Sequence, residues 1–406
     1  MKITIENFLA FSEPVTFDLK KINLFIGANN CGKSTFAKFI ELIQSIKIDR
    51  SILEIPRPNH LNYKSSRFGD LRNFKSQTKK KIKSKFEFTS SNNEISIEFE
   101  VREIMGGFGP FDNGEGLGDI TLFKINNHIV YKKNKEPLSY STSSKGLLLL
   151  KETILSFNGD YQHHEFSSWE FDDWVKSEPK WGDLLHVINR FFLNEILKFN
   201  VVENKSESNI LQESLYSINS KSLKNFDIEI IEKKLFLNSY TSKTKSTYID
   251  SLFYAKQYEL ETPLKAMGSG FRNLIQIIAN NSSESFNADI FENKYIPILQ
   301  EPEIGLHPNW QAKIFKILVE QHAIIETHSL VILRALQLEV AEGNYKPEDV
   351  IIHNFHRDKK GTIKINPIRI SKTGILIGEF QSGFQDEVSE IEMKLWKIQQ
   401  EQINQN

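Results

Sequence analysis

The sequence predicts an α/β fold opened by an antiparallel β-subdomain, and three stretches carry that prediction. The apolar run Ile22, Leu24, Phe25, Ile26 reads as a buried strand, leads into Gly27-Ala28-Asn29-Asn30-Cys31-Gly32-Lys33-Ser34-Thr35, and is followed by Phe36, Phe39, Ile40, Ile43 and Ile46 at helical spacing. A second apolar run, Tyr295 to Leu299, ends in Gln300-Glu301, and a third, Ala323 to Ile325, ends in Glu326-Thr327-His328-Ser329, with a helical pattern from Asn309 to His322 between them. Before the first run, Lys2 to Glu6 and Val15 to Leu19 alternate as two short strands around the turn Asn7-Phe8-Leu9-Ala10-Phe11.

Composition bounds the rest. The 406 residues are 39% hydrophobic and 25% charged, which suits a chain with one large core plus an insertion, or two lobes. A net charge of -1 provides no global field for nucleic acid or an anionic membrane, so any such binding needs a local patch. The single cysteine, Cys31, excludes disulfides within the chain and thiolate metal clusters. With no long apolar stretch and a strand pattern at the start, a soluble, cytoplasmic protein that does not engage membrane is expected.

The stretch from Gly27 to Thr35 is a P-loop. Glycines at both ends let the backbone aim its N–H groups inward at phosphate oxygens, and the helix that begins at Lys33 points its positive end into the same loop. Asn29, Asn30, Cys31, Gly32, Lys33, Ser34 and Thr35 form the nucleotide set, with Lys33 reaching the β/γ-phosphates and the Ser34 hydroxyl placed to hold Mg2+. An antiparallel ribbon feeding such a strand resembles the head of the ABC-type ATPases, in the branch that includes the SMC, RecF and overcoming-lysogenization-defect (OLD) proteins. The wording NFxxF, then a strand, then GxNNxGKST is most similar to the OLD-like members.

The polar stretch 50–78 precedes strand patterns at Lys85 to Thr89 and Glu94 to Val101. In the resembled family this region carries a glutamine that touches magnesium; Gln77 is the candidate, and a plain loop glutamine is the other reading. Five lysines between Lys79 and Lys85 suit either a DNA backbone or a solvated hairpin tip that discourages edge pairing. The glycine-rich segment 104–119 lacks the strand, helix and third glycine of a dinucleotide fingerprint. Residues 145–260 have a different texture, with helical patterns at Leu147 to Leu155, Trp181 to Leu197 and Leu211 to Ile218, and are taken as a mainly helical insertion. Within it, His163-His164 reads as exposed rather than metal-binding, and Trp169, Phe171, Trp174 and Trp181 as packing residues.

Gly268-Ser269-Gly270 opens an apolar helix and resembles the ABC signature motif. The resemblance implies that it caps the γ-phosphate of ATP held by a second subunit. Gln300-Glu301-Pro302-Glu303, continued by Leu306-His307-Pro308, resembles a Walker B strand end. There the resemblance makes Glu301 the base that orients water and puts Gln300 where an acidic magnesium ligand usually stands. A neutral amide supplies geometry without charge, so weaker Mg2+ binding and slow turnover are expected. Thr327-His328-Ser329 resembles the switch histidine, with His328 donating to the γ-phosphate. The Toprim nuclease domain of OLD proteins is not found. Two strand patterns (Val350 to His356, Gly361 to Ile370) and an ending in Gly383-Phe384-Gln385-Asp386-Glu387 stand there instead, similar to the tails of a family of bacterial AAA-type ATPases.

The fold class that follows is an α/β, ABC-type P-loop ATPase head with an antiparallel β-subdomain and a helical insertion. The expected division is 1–144, 145–260 and 261–406. The resemblance implies ATP and Mg2+ as cofactors, hydrolysis, and a homo-dimer or higher homo-oligomer formed around nucleotide. The leading expectation for its role is a sensor or scaffold that controls a separate effector protein, a nuclease or toxin, in anti-phage defence. The alternative is a DNA-repair or DNA-maintenance ATPase that binds DNA directly, and a nucleotide-locked scaffold follows if Gln300 disables turnover.

Overall fold

The computed structural model describes residues 1–45, 47–49, 52–54, 81–90, 93–104, 117–133, 140–157, 199–202, 228–238, 246–255, 260–263, 268, 270, 273–275, 277–278, 296–318, 322–379 and 394–396. Gln77, Ser269, His163-His164, the tryptophan-rich stretch, the helical patterns at 181–197 and 211–218, and the 383–387 ending lie outside these residues. The chain divides into two compact units, Met1–Leu19 with Asn29–Lys198 and Phe355–Ile365, and Lys20–Ala28 with Phe199–Asn354 and Asn366–Asn406. These units interleave along the chain and so differ from the expected three consecutive segments. The reason is topological: the strand that feeds the P-loop pairs with strands from the far end of the sequence.

The first unit is built on an antiparallel sheet. Its strands are β1 (Lys2–Glu6), β2 (Val15–Asp18), β6 (Lys81–Ser90), β7 (Asn93–Ile104), β8 (Leu117–Ile125), β9 (His128–Lys133) and β10 (Tyr140–Ser141), in the order β10-β9-β8-β7-β6-β1-β2. Alternation decides which side is buried: Ile3 and Ile5 of β1 face inward with Phe17 of β2 and Phe86 of β6, the residues paired across from Ile3. The turn after β1 is tightly held. Asn7 and Leu9 take left-handed backbones (φ 59° and 42°), Phe8 and Phe11 bridge, and the Asn7 amide donates to the Lys81 carbonyl at 2.7 Å.

The turn's phenylalanines give the NFxxF wording its physical purpose. Phe8 meets Phe39 of the P-loop helix (Lys33–Ser45) edge-on at 5.4 Å, and Phe39 stacks over Phe86 at 6.4 Å. Phe36 of the same helix lies 4.6 Å from Phe17. The P-loop helix is thereby anchored to the sheet by an aromatic layer before any ligand is considered. Two short strands, β4 (Lys47–Asp49) and β5 (Ile52–Glu54), pair beyond it. The helical pattern at Leu147 to Leu155 forms the helix Ser144–Phe157.

A second seven-stranded sheet consists of β3 (Ile22–Gly27), β11 (Phe199–Val202), β15 (Ile296–Gln300), β16 (Ala323–Glu326), β17 (Val350–Arg357), β18 (Ile363–Ile370) and β19 (Leu376–Ile377), ordered β11-β15-β16-β3-β17-β18-β19, and the second unit holds all of it except residues 355–357 and 363–365. The run β11-β15-β16-β3 is parallel. β3 is buried along its whole length, as a strand covered on both faces requires. Ile22, Leu24 and Ile26 enter a core with Leu274, Ile278, Phe315, Leu333 and Ile368, while Phe25 on the other face meets His353 edge-on at 5.1 Å. Buried Asn23 is satisfied: it donates to the carbonyls of Lys20 (2.8 Å) and Ala323 (3.1 Å) and accepts from the Lys20 N–H at 2.8 Å.

Two expectations change here. The stretch 145–260 was expected to be mainly helical, yet its described part holds β12 (Ile228–Asn238) and β13 (Ser246–Ala255), joined by β14 (Leu260–Pro263) in an antiparallel sheet. β-branched and aromatic residues such as Thr247, Tyr248, Ile249, Phe253 and Tyr254 favour pleated pairing over helix there. The helix expected from Asn309 to His322 is broken into Pro308–Gln311 and Phe315–Leu318. Between them Lys313, Ile314 and Lys316 donate three residues back, to Trp310, Gln311 and Lys313, which tightens the chain into 3₁₀ geometry.

Candidate nucleotide site

The phosphate loop combines permissive backbone with a close fit. Gly27, Asn30 and Gly32 take φ of 142°, 60° and 88°, and the helix that follows has no acidic residue in its first turn to oppose an anion. At Gly32 a Cβ would stand 2.7 Å from Ile363 Cδ1 and 3.2 Å from Ala10 and Phe11, so a side chain would have to displace these neighbours, and the positive φ of 88° strains any residue but glycine. Lys33, Thr35 and Cys31 are buried, and Ser34 is partly accessible. A backbone that can turn inward, a lysine and a hydroxyl at a helix N-terminus fit a triphosphate.

Behind this loop Arg357, at the end of β17, donates from Nε and Nη2 to the Asn30 carbonyl (3.2 and 2.7 Å) and from Nη1 to the Gly361 carbonyl (2.8 Å). The next residue, Asp358, accepts from the N–H groups of Thr362 and Lys360 at 2.8 and 2.9 Å. The Thr362 bond in particular holds its carboxyl below the ordinary value. Because the folded value is depressed, this contribution to the hairpin is present above about pH 4 and fades as pH falls below that.

In the second unit the parallel register sets Phe25, Glu326 and Gln300 side by side across three strands. Just beyond that row the Glu301 N–H donates to the Glu326 carbonyl (2.8 Å) and the Thr327 N–H to the Phe25 carbonyl (3.0 Å). Gly27, Gln300 and Thr327-His328 therefore leave the sheet at one carboxyl edge, where open α/β sheets bind ligands. Glu301 takes a left-handed φ of 45°, a strained conformation costing on the order of 1–3 kcal/mol for a residue with a side chain. Its carboxylate lies 3.7 Å from His328 Nε2, and both groups are partly exposed. Glu303 accepts from the His328 backbone N–H at 2.7 Å, so the EPE turn grips the histidine's segment directly.

Of the signature residues, Gly268 and Gly270 are described. A Cβ on Gly270 would fall 1.9 Å from the Gly305 carbonyl oxygen, so the signature backbone lies against the turn that follows Glu301. Asn273, three residues on, donates its side-chain amide to the carbonyls of Pro302 (3.2 Å) and Ile304 (3.4 Å). Gly268 meets nothing within 4 Å of such a Cβ. Asn273, Glu303 and Arg357 were all missed from sequence. The second glutamate of EPE was the one readable signal; the other two act across 29 and 327 residues.

The lysine run resolves in part. Lys81, Lys83 and Lys85 stand on β6, between β1 and β7 rather than at a hairpin tip, and pair with Glu100, with Glu6 at 3.7 Å and with Glu87 at 2.8 Å; Lys79 and Lys80 lie outside the described residues. Among the described residues no cluster of metal-ligating side chains occurs and no helix is long and apolar enough to cross a membrane.

Sheet order, loop and strand ends define an α/β P-loop fold with an antiparallel β-subdomain. A family model described as AAA ATPase domain matches residues 1–176. No curated protein matches the chain. Among solved structures it is similar to the SMC head domain from Thermotoga maritima (12% identity, TM-score 0.43, covering 91% of this chain and 98% of that one). It is also similar to an SmcHead bound to the C-winged helix domain of ScpA (12%, TM-score 0.45, 91% and 98%). A third is an Smc head domain with an extended coiled coil bound to the C-terminal domain of ScpA derived from Pyrococcus furiosus (13%, TM-score 0.44, 97% and 98%). The expectation of a nuclease or toxin effector is corrected by this finding: the partner in the latter two is a domain of ScpA.

Proposed function

We propose that the chain binds ATP, pairs with a second copy around the nucleotide, hydrolyses it, and does so in DNA maintenance. The observation that carries the ATPase reading is the common edge at which Gly27, Gln300-Glu301 and Thr327-His328 leave adjacent parallel strands. Lys33 is assigned to the β/γ-phosphates, Glu301 to orienting the attacking water, and His328 to the γ-phosphate. Gly268 to Gly270 are assigned to ATP held by the other copy. Magnesium, when bound, would screen the phosphate charge; the motif resemblance assigns it Ser34 and Gln300, both neutral oxygen donors, so weak binding and slow turnover would follow. Replacing Gln300 with Asp should raise steady-state ATPase activity about tenfold and lower the magnesium concentration needed for half-maximal rate. Unchanged rates would remove the account of slow turnover.

With the effector reading withdrawn, the role that stands is the DNA-binding one, supported by the motif resemblance to the SMC and RecF branch. ATPase activity measured with and without duplex DNA tests it. Stimulation that falls by at least tenfold between 50 and 200 mM salt is the expected result, because contacts to phosphates release counterions. An ATPase indifferent to DNA at every salt concentration would refute the DNA role while leaving the nucleotide site intact.

A further inference from the structure

We propose that Arg357 is a positioning residue that holds the phosphate loop in its anion-receiving shape before nucleotide arrives. The proposal rests on the triphosphate reading of that loop and adds a residue to it. A loop that turns its N–H groups toward an anion turns carbonyls away from it, and each outward carbonyl needs a donor elsewhere. For Asn30, whose φ of 60° places it where the loop reverses hand, that donor is the Arg357 guanidinium, which grips one carbonyl with two N–H groups. The fork's other arm reaches the Gly361 carbonyl, so the same side chain ties the loop to the β17–β18 hairpin.

The hairpin supports the loop a second time. Ile363, at its far side, fills the space next to Gly32, so residues 30 and 32 are braced on either side of Cys31. The Asp358 bonds to Lys360 and Thr362 fix the hairpin's own shape, which lets the guanidinium act as a rigid strut. A planar fork reaches two carbonyls from separate nitrogens in fixed geometry; an ammonium carries its three donors on one atom and cannot reproduce that spread. Arg357→Lys should therefore restore only part of what Arg357→Ala loses.

Two measurements test this. Amide hydrogen exchange on the nucleotide-free protein should be at least about tenfold faster at residues 28–32 in R357A than in wild type, with the β1–β2 strands unchanged. Titration with N-methylanthraniloyl-ATP and magnesium should show Kd rising about tenfold in R357A and about threefold in R357K. In turnover, KM for ATP rises with Kd while kcat falls less than threefold, since bound nucleotide itself orders the loop. Loop exchange and Kd within twofold of wild type in R357A would overturn the proposal. If R357A does not fold, R357K decides alone: wild-type exchange and affinity in that variant would overturn it. Failure of the triphosphate reading looks different, because wild type itself would then not bind the analogue while the exchange effect of R357A persists.

Discussion

Lys33→Ala is expected to abolish ATP binding, raising Kd by at least about 100-fold, or roughly 2.7 kcal/mol. The lysine is buried at the first position of the P-loop helix; in the proposed function its ammonium is the main cation for the β/γ-phosphates, and charge-assisted contacts of this kind are the strong ones. The loss should be specific to the ligand. Phe36 and Phe39 hold the helix against the sheet through Phe17, Phe8 and Phe86, contacts that Lys33 does not share. In thermal melts wild type should gain stability as ATP rises, by RT ln(1 + [L]/Kd), whereas K33A should melt at one temperature throughout. ATP affinity retained in calorimetry would show that this loop is not the nucleotide site.

Glu301→Gln carries the second large effect. A general base that orients water contributes about 10²- to 10⁴-fold, so kcat should fall by at least 100-fold while ATP affinity stays within a few-fold of wild type. The amide preserves the shape of a side chain on a strained backbone at φ 45°, which keeps the turn that also binds His328 and Asn273 undisturbed. Nucleotide then stays bound long enough to trap any assembly that depends on it.

The parts of this site that are contiguous in the chain were legible in the sequence. Strand, loop and helix follow one another from Ile22 to Ile40, so periodicity and glycine placement alone locate the phosphate loop. The apolar runs ending at Gln300 and Glu326 were equally plain, and the strands from 81 to 104 only needed extending at their ends. What the chain order hides is tertiary. Nothing local marks Arg357 for Asn30, or Asn273 for the turn at Pro302, because each pair exists only once distant strands are aligned. The helix at 309–322 misled for a different reason: its apolar spacing is helical, but i to i−3 bonding tightens the middle, which periodicity does not register. At 228–263 strand propensity outweighed the general texture of the insertion. The units also interleave, since the parallel register draws Lys20–Ala28 to residues more than 300 positions later.

The proposed function gives one chain two segments that would face phosphate. One is the P-loop; the other runs from Gly268 to Gly270, and Asn273 beyond it is fastened to the very turn that presents Glu301. In the proposed pairing, that fastening lets the state of the Walker B turn in one copy be felt by the segment that covers the other copy's nucleotide.

Light scattering on E301Q tests the pairing most directly. With saturating ATP and magnesium the protein should run at twice the 47.0 kDa of a single chain, and return to one chain when nucleotide is removed or when Lys33 is also replaced. A mass of one chain with ATP demonstrably bound would contradict it.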